Sequence, residues 1–217
     1  MADQPGTTAN HSSEDQARGL ERLIQFSDAV VAIAITLLVL PLLDLADYKG
    51  TIRDMLNDGG SQIMMFFISF AVVASFWLTH REVFQGVAGC SSRLVWTNMF
   101  WLVTIVFLPF PTEVLGVHGP DGAGVRAFYL GSLLACAVAQ MLLSIVIMRS
   151  PVLWRNGVRP QLSMNAATVS VGLFVVVFVV ATFVPAVGLY ALLLLFLLRP
   201  ISQRLDARSA RSATAID

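Results

Sequence analysis

Charge is scarce in this chain. Asp, Glu, Lys and Arg make up only 13% of its 217 residues, while 56% are hydrophobic; a soluble domain carries about 25% charge. That shortage excludes an ordinary soluble domain. The 14 basic residues balance 14 acidic ones, so no basic footprint points to nucleic acid. Cysteine is nearly absent: Cys90 falls in a connection and Cys136 within an apolar segment, a poor disulfide pair and nothing like a metal motif. His11 and His118 lie in polar segments, with no two histidines on one helical face to hold a metal. Glycine-rich phosphate loops are missing. His80 and Asp28 lack a paired nucleophile, Ser27 being a candidate only by adjacency. No enzyme, cofactor or metal is expected from these residues.

Apolar sequence is what the chain has in quantity, in long blocks rather than helical stripes, which is the signature of bilayer-spanning segments. The expected fold is an all-α membrane protein with six transmembrane helices, over about 22–43, 61–82, 93–115, 125–148, 162–184 and 186–204. Breakers separate them: Pro41 with Asp44 and Asp47, Gly86 to Ser92, Gly116 to Gly124, and Pro151 to Pro160. No re-entrant filter loop fits between them. Residues 1–17 read as a disordered tail, with Ser13 and Gln16 placed to cap the helix that follows. The first apolar run is too long for a secretory signal peptide. Residues 18–204 form the transmembrane domain, and 205–217 a basic tail.

The few basic residues fix the topology. Arg18, Arg22, Arg81, Arg93, Arg149, Arg155, Arg159, Arg199, Arg204, Arg208 and Arg211 fall on one side of the predicted membrane, and Lys49, Arg53 and Arg126 on the other. Eleven against three places both termini in the cytoplasm, with the chain as a multi-pass protein of the cell (inner) membrane.

That topology brings Arg22, Ser27, Asp28, His80 and Asn98 to similar depth near the inner interface. Each is costly to leave unpaired among apolar groups, and together they supply matching donors and acceptors. Two readings compete. In one, Arg22, His80 and Arg81 snorkel to headgroups while Trp77, Trp96 and Trp101 form an interfacial belt. In the other these polar groups form a buried network, favoured because the short stem of Asp28 does not let it snorkel far. Beyond Asp28, residues Ile33, Thr36, Leu37 and Leu40 recur at the spacing of one helix face. This is either a packing or lipid-facing stripe or, around an oligomer axis, a stack of aliphatic rings that gates by dewetting.

Arg22-x-x-x-Phe26-Ser27-Asp28, followed by Ala32-Ile33-x-x-Thr36-Leu37-Leu38-Val39-Leu40, resembles the signature of the lysosomal-type (endosomal/lysosomal transmembrane protein) potassium channel family, in its prokaryotic branch with one six-helix unit per chain. The Trp77-x-x-His80 end of span 2 resembles the family's pattern. So do Asn98 and the Leu108-Pro109-Phe110-Pro111-Thr112 block closing span 3. The resemblance covers residues 22 to about 116. It implies a homotetramer in the lipid bilayer that passes monovalent cations, potassium among them, along a pore lined by the first helix of each subunit. This chain, like that family, lacks a Thr-Val-Gly-Tyr-Gly filter. Selectivity then falls to rings of Ile33, Thr36, Leu37 and Leu40, with Arg22, Phe26, Ser27, Asp28, Trp77, His80 and Asn98 as a structural clasp. Pro41 departs from the family's pattern and is expected to kink the outer end of the pore helix. Asp44 and Asp47 would then sit at the outer mouth, as cation-concentrating carboxylates or as ordinary loop charges. Two other functions remain open: a proton or cation transporter titrating Asp28 and His80, and a non-conducting membrane scaffold.

Overall fold

The computed structural model describes residues 5–47, 49–119 and 122–158, together with Pro160, Val171, Gly172, Val175, Val176 and Val179. Within these the chain is helical. Helix α1 (Pro5–Leu37) leads through a turn into α2 (Leu40–Leu43) and a 3-10 turn over Asp44–Asp47. A short α3 (Ile52–Asp58) precedes α4 (Gly60–Gln85), and α5 (Ser92–Phe107) is continued by α6 (Pro109–His118). Helix α7 (Ala123–Met148) is followed by two 3-10 turns, Pro151–Leu153 and Arg155–Gly157. Four stretches are long and apolar enough to cross a membrane: Glu14–Leu43, Gly60–Gln85, Ser92–His118 and Ala123–Met148. They correspond to the first four expected spans. The fifth and sixth, over 162–204, lie outside the described residues.

The first helix starts well before the expected boundary at residue 17. It begins at Pro5, so Ser13 and Gln16 lie inside a helix instead of capping its start. Side chains spaced to pair along one helical face support this polar segment: Arg18 reaches Glu14 at 3.4 Å and Asp15 at 3.9 Å.

Proline acts differently at the two breaks. The Leu108-Pro109-Phe110-Pro111 block does not close its span. The chain tightens to a Leu108 N–H bond with the Ile105 carbonyl (3.1 Å) and reopens as α6, carried to His118. Pro109 and Pro111 sit in the first turn of that helix, where no intrahelical N–H bond is lost. At Pro41 the expected disruption is present. Leu38 and Val39 donate to Ile35 and Thr36 three residues back, and only the single turn of α2 follows.

The connection between α2 and α4 holds a helix that hydrophobic patterning passes over. Thr51 caps α3 through a reciprocal box: its hydroxyl accepts the Asp54 N–H, and its own N–H donates to the Asp54 carboxylate. The Thr51-x-x-Asp54 spacing is the legible signal. These bonds, the Thr51 side chain first, hold the Asp54 carboxyl below its ordinary value of 3.8. A carboxyl depressed on folding stabilises above its unfolded value, and that contribution is lost as pH falls through the folded one. Amide exchange at Asp54 and Met55, followed by mass spectrometry, should therefore accelerate relative to α4 when the pH drops below 4.

Apolar stripes from α1, α4, α5 and α7 meet in one core that includes Val31, Leu38, Val73, Phe76, Ile105 and Leu133. A second cluster lies toward the α4–α5 connection, where Leu20, Leu23, Phe84, Leu94, Leu143 and Leu153 meet. Backbone bonds tie the two connections at this end together. Ala88 N–H donates to the Leu153 carbonyl at 2.8 Å, and Arg155 N–H to the Gly86 carbonyl at 3.0 Å. Gly86 is needed there, because a Cβ would lie 2.7 Å from Pro160 Cβ. Gly86→Ala should lower stability by about 1–3 kcal/mol, as overpacking does, read as a fall in Tm in detergent.

Candidate functional site: the first helix and its polar clasp

Helix α1 shows two faces to the rest of the chain. Leu20, Leu23, Ser27, Val31, Ala34 and Leu38 recur every three or four residues and are buried. Six residues on from Ser27, at about 100° each, Ile33 points some 120° away from that stripe. It is 60% exposed, and Leu40 52%; Thr36 is exposed and Leu37 half-buried. Over its most apolar window the first span is only 22% buried, against 39%, 44% and 50% for the other three. One side of this helix is therefore uncovered by the described residues.

The buried side is fixed by a relay of hydrogen bonds whose directions follow from one another. Ser27 Oγ–H donates to the Leu23 carbonyl at 2.7 Å, so its oxygen is left to accept. Asn98 Nδ2, on α5, donates to that oxygen at 2.8 Å. This turns Asn98 Oδ1 toward His80 on α4, at 2.7 Å from Nε2. A carbonyl oxygen only accepts, so the proton of His80 on this side is on Nε2. Ser27, His80 and Asn98 are all fully buried. Three helices are joined here by two side-chain hydrogen bonds, at a net gain of about 1 kcal/mol per bond and a larger loss if one is broken. The His80 ring stacks on Trp101, centroids 4.0 Å apart at 14°, and lies 4.6 Å from Phe84. That packing leaves the imidazole little freedom to turn.

Asp28 plays a different part from the one its short stem suggested. It is exposed, and its Oδ1 accepts the Trp77 indole N–H at 2.8 Å. The Arg81 guanidinium lies 5.9 Å over the same Trp77 ring, within cation–π range. The buried polar residue of the motif is therefore Ser27, with Asp28 on its flank. Arg22 and Phe26 are exposed and lie outside the relay. Of the tryptophans assigned to an interfacial belt, Trp96 is 75% exposed, whereas Trp101 is 0% exposed and belongs to the core. Because Trp77 already uses an N–H donor on an exposed oxygen, Asp28→Asn should keep this bond through the amide oxygen. A stability change below about 1 kcal/mol is expected, measured by thermal unfolding.

On the uncovered face, the Thr36 hydroxyl donates to the Ile33 carbonyl at 2.7 Å. This orients the hydroxyl proton along the helix and leaves the oxygen lone pairs available. Asp44 is exposed just beyond α2, in the 3-10 turn that ends at Asp47.

A second buried polar group lies among α4, α6 and α7. Thr112 Oγ1 lies 3.0 Å from Ser69 Oγ and 2.8 Å from the Leu108 carbonyl, and the Ser69 and Tyr129 hydroxyls are 3.0 Å apart. This joins α6, α4 and α7 near their other end. Thr112 stands in the proline block already singled out, but isolated hydroxyls on three helices give no pattern that predicts their meeting.

An all-helical membrane protein with a rigidly clasped first helix, uncovered along one apolar face, is the class this arrangement defines. Residues 22–109 match the family described as endosomal/lysosomal potassium channel TMEM175. The matched segment holds the uncovered face of α1, Trp77, His80 and Asn98. A potassium channel of Chamaesiphon minutus is 34% identical over 124 residues, covering 54% of this chain and 60% of that one. One of Streptomyces collinus is 33% identical over 120 residues, covering 54% and 58%. The human endosomal/lysosomal proton channel TMEM175 is 29% identical over 125 residues, 55% of this chain and 25% of the human one. The matches thus span about three-fifths of the bacterial relatives. The crystal structure of a lysosomal potassium-selective channel TMEM175 homolog from Chamaesiphon minutus has the same fold, with a TM-score of 0.70 at 24% identity, covering 84% of this chain and 98% of that one.

Proposed function

We propose that this chain is the subunit of a passive, potassium-permeable channel of the cell membrane, with four copies arranged around the uncovered face of α1. The observation that carries this reading is that face. A membrane-length helix held in place by a buried relay, yet only 22% covered over its apolar window, is suited to line an axis shared between copies. Ile33, Thr36, Leu37 and Leu40 then form successive rings. An ion at the narrowest ring keeps or sheds water, and shedding costs less for potassium than for the smaller sodium. The Thr36 oxygen replaces part of the lost shell. The bias of eleven basic residues against three sets both termini in the cytoplasm, with six spans per chain. Asp44 and Asp47 then ring the outer mouth, where carboxylates raise the local cation concentration. The relatives named as potassium channels support the choice of ion.

The vertebrate relatives' name as proton channels favours a second reading, proton permeation through the same axis. The titrating pair Asp28 and His80 is a weaker route, since Asp28 bonds to Trp77 and His80 to Asn98. Purified protein in planar bilayers under bi-ionic potassium and sodium separates these functions. A reversal potential displaced toward potassium and little changed between pH 7 and pH 5 supports the potassium channel. A reversal potential that follows the proton gradient supports proton permeation, saturable pH-coupled flux a transporter, and no flux a scaffold.

A further inference from the structure

Between the two buried polar groups, α5 and α7 carry polar atoms that have no partner among the described residues. Gln140 is 6% exposed, and both its amide oxygen and its amide nitrogen are buried without a hydrogen-bond partner; so is the indole nitrogen of Trp101. The register of the two antiparallel helices brings these residues to one level. The Cys136 thiol lies close to the Thr104 hydroxyl, whose proton goes to the Trp101 carbonyl at 2.7 Å. Three residues along α5 from Thr104 is Trp101, and four along α7 from Cys136 in the same direction is Gln140. At about 1.5 Å per residue these steps differ by roughly 1.5 Å. Both residues are buried, on two helices that pack against each other.

Leaving an amide and an indole N–H unsatisfied in the core of a membrane protein is expensive, and buried polar groups with no protein partner are ordinarily met by ordered water. Such a water makes about three hydrogen bonds. This level offers one indole donor, one amide acceptor and one amide donor, which is that number.

We infer that Trp101 and Gln140 form an internal hydration site between α5 and α7, holding water within each subunit, behind His80 and away from the uncovered face of α1. The water accepts from Trp101 Nε1 and donates to Gln140 Oε1, while Gln140 Nε2 donates to a second water or to the same one. The site shares a wall with the clasp, since the other face of the Trp101 stack is His80. It does not depend on whether the protein conducts.

X-ray radiolytic labelling in heavy-oxygen water tests it directly, because radicals made from a bound water oxidise the side chains that hold it. In the full chain in detergent, Trp101 should be labelled several-fold faster than Phe76, which is equally buried and at the apolar centre of the bundle. Gln140→Met, close in volume and without the amide, should reduce Trp101 labelling to the Phe76 level. Gln140→Leu serves as a second variant if the first fails to fold. Trp101 labelling no faster than Phe76 in the unsubstituted protein overturns the site, as does undiminished labelling in either folded variant. A direct indole-to-amide bond that excludes water would register as the first of these results.

Discussion

In a bilayer with potassium on one side and sodium on the other, Ile33→Ala is expected to move the reversal potential toward zero by tens of millivolts. Ile33 projects from the uncovered face of α1, and in the proposed four-fold arrangement truncation to Ala removes its branched side chain from every copy at once. A wider ring lets sodium pass with more of its water, and the preference for potassium falls. A tenfold loss of discrimination corresponds to about 1.4 kcal/mol. With about 2.3 kcal/mol per elementary charge per 100 mV, that is a shift of roughly 60 mV, or less if the starting preference is smaller. Ile33→Leu conserves volume and should stay near the unsubstituted value. An unchanged reversal potential in a folded Ile33→Ala protein would remove Ile33 from the ring.

Asn98→Leu should be the most damaging single change to the fold. Asn98 is the only bridge in the relay that touches both other members, donating to Ser27 and accepting from His80. Leucine fills similar volume but leaves the His80 N–H without its acceptor and the Ser27 oxygen without its donor, both fully buried. Each orphaned group costs about 1–3 kcal/mol, so about 2–6 kcal/mol is at stake for the two. The measurement is thermal unfolding in detergent against Asp28→Asn, whose bond lies at the exposed edge. Equal stability of the two variants would mean that the relay contributes little to holding α1. Because the relay fixes α1 and not the uncovered face, surviving Asn98→Leu protein should lose stability before it loses ion preference.

These two expectations come from residues that the sequence marks to very different degrees. The motif Phe26-Ser27-Asp28 is legible because polar groups at the start of an apolar helix carry a cost visible in the sequence. The carboxylate draws notice first, since its charge is the most costly to bury, yet the structure buries Ser27 and leaves Asp28 at the edge. Helical phase explains the exchange. Adjacent residues differ by about 100° around the helix, so one of the pair faces the bundle and its neighbour does not. Charge scarcity alone gives no phase. Trp101 departs from the belt for a related reason: hydropathy does not separate a belt tryptophan from a core one, and only the packing of α4 against α5 sets it on His80.

By itself the sequence determined a membrane protein, the places of its first four spans, the disruption at Pro41, and the face of α1 that carries Ile33, Thr36, Leu37 and Leu40. These follow from local quantities: apolar length, a missing backbone donor, and a period of three to four residues. The tertiary structure decided which of those faces is covered by the described residues. It also chose Ser27 over Asp28 as the buried partner, joined Ser69, Thr112 and Tyr129, and stacked Trp101 on His80. Each of these depends on the register between helices far apart in sequence. That register is fixed by how side chains interlock, and no single segment contains it.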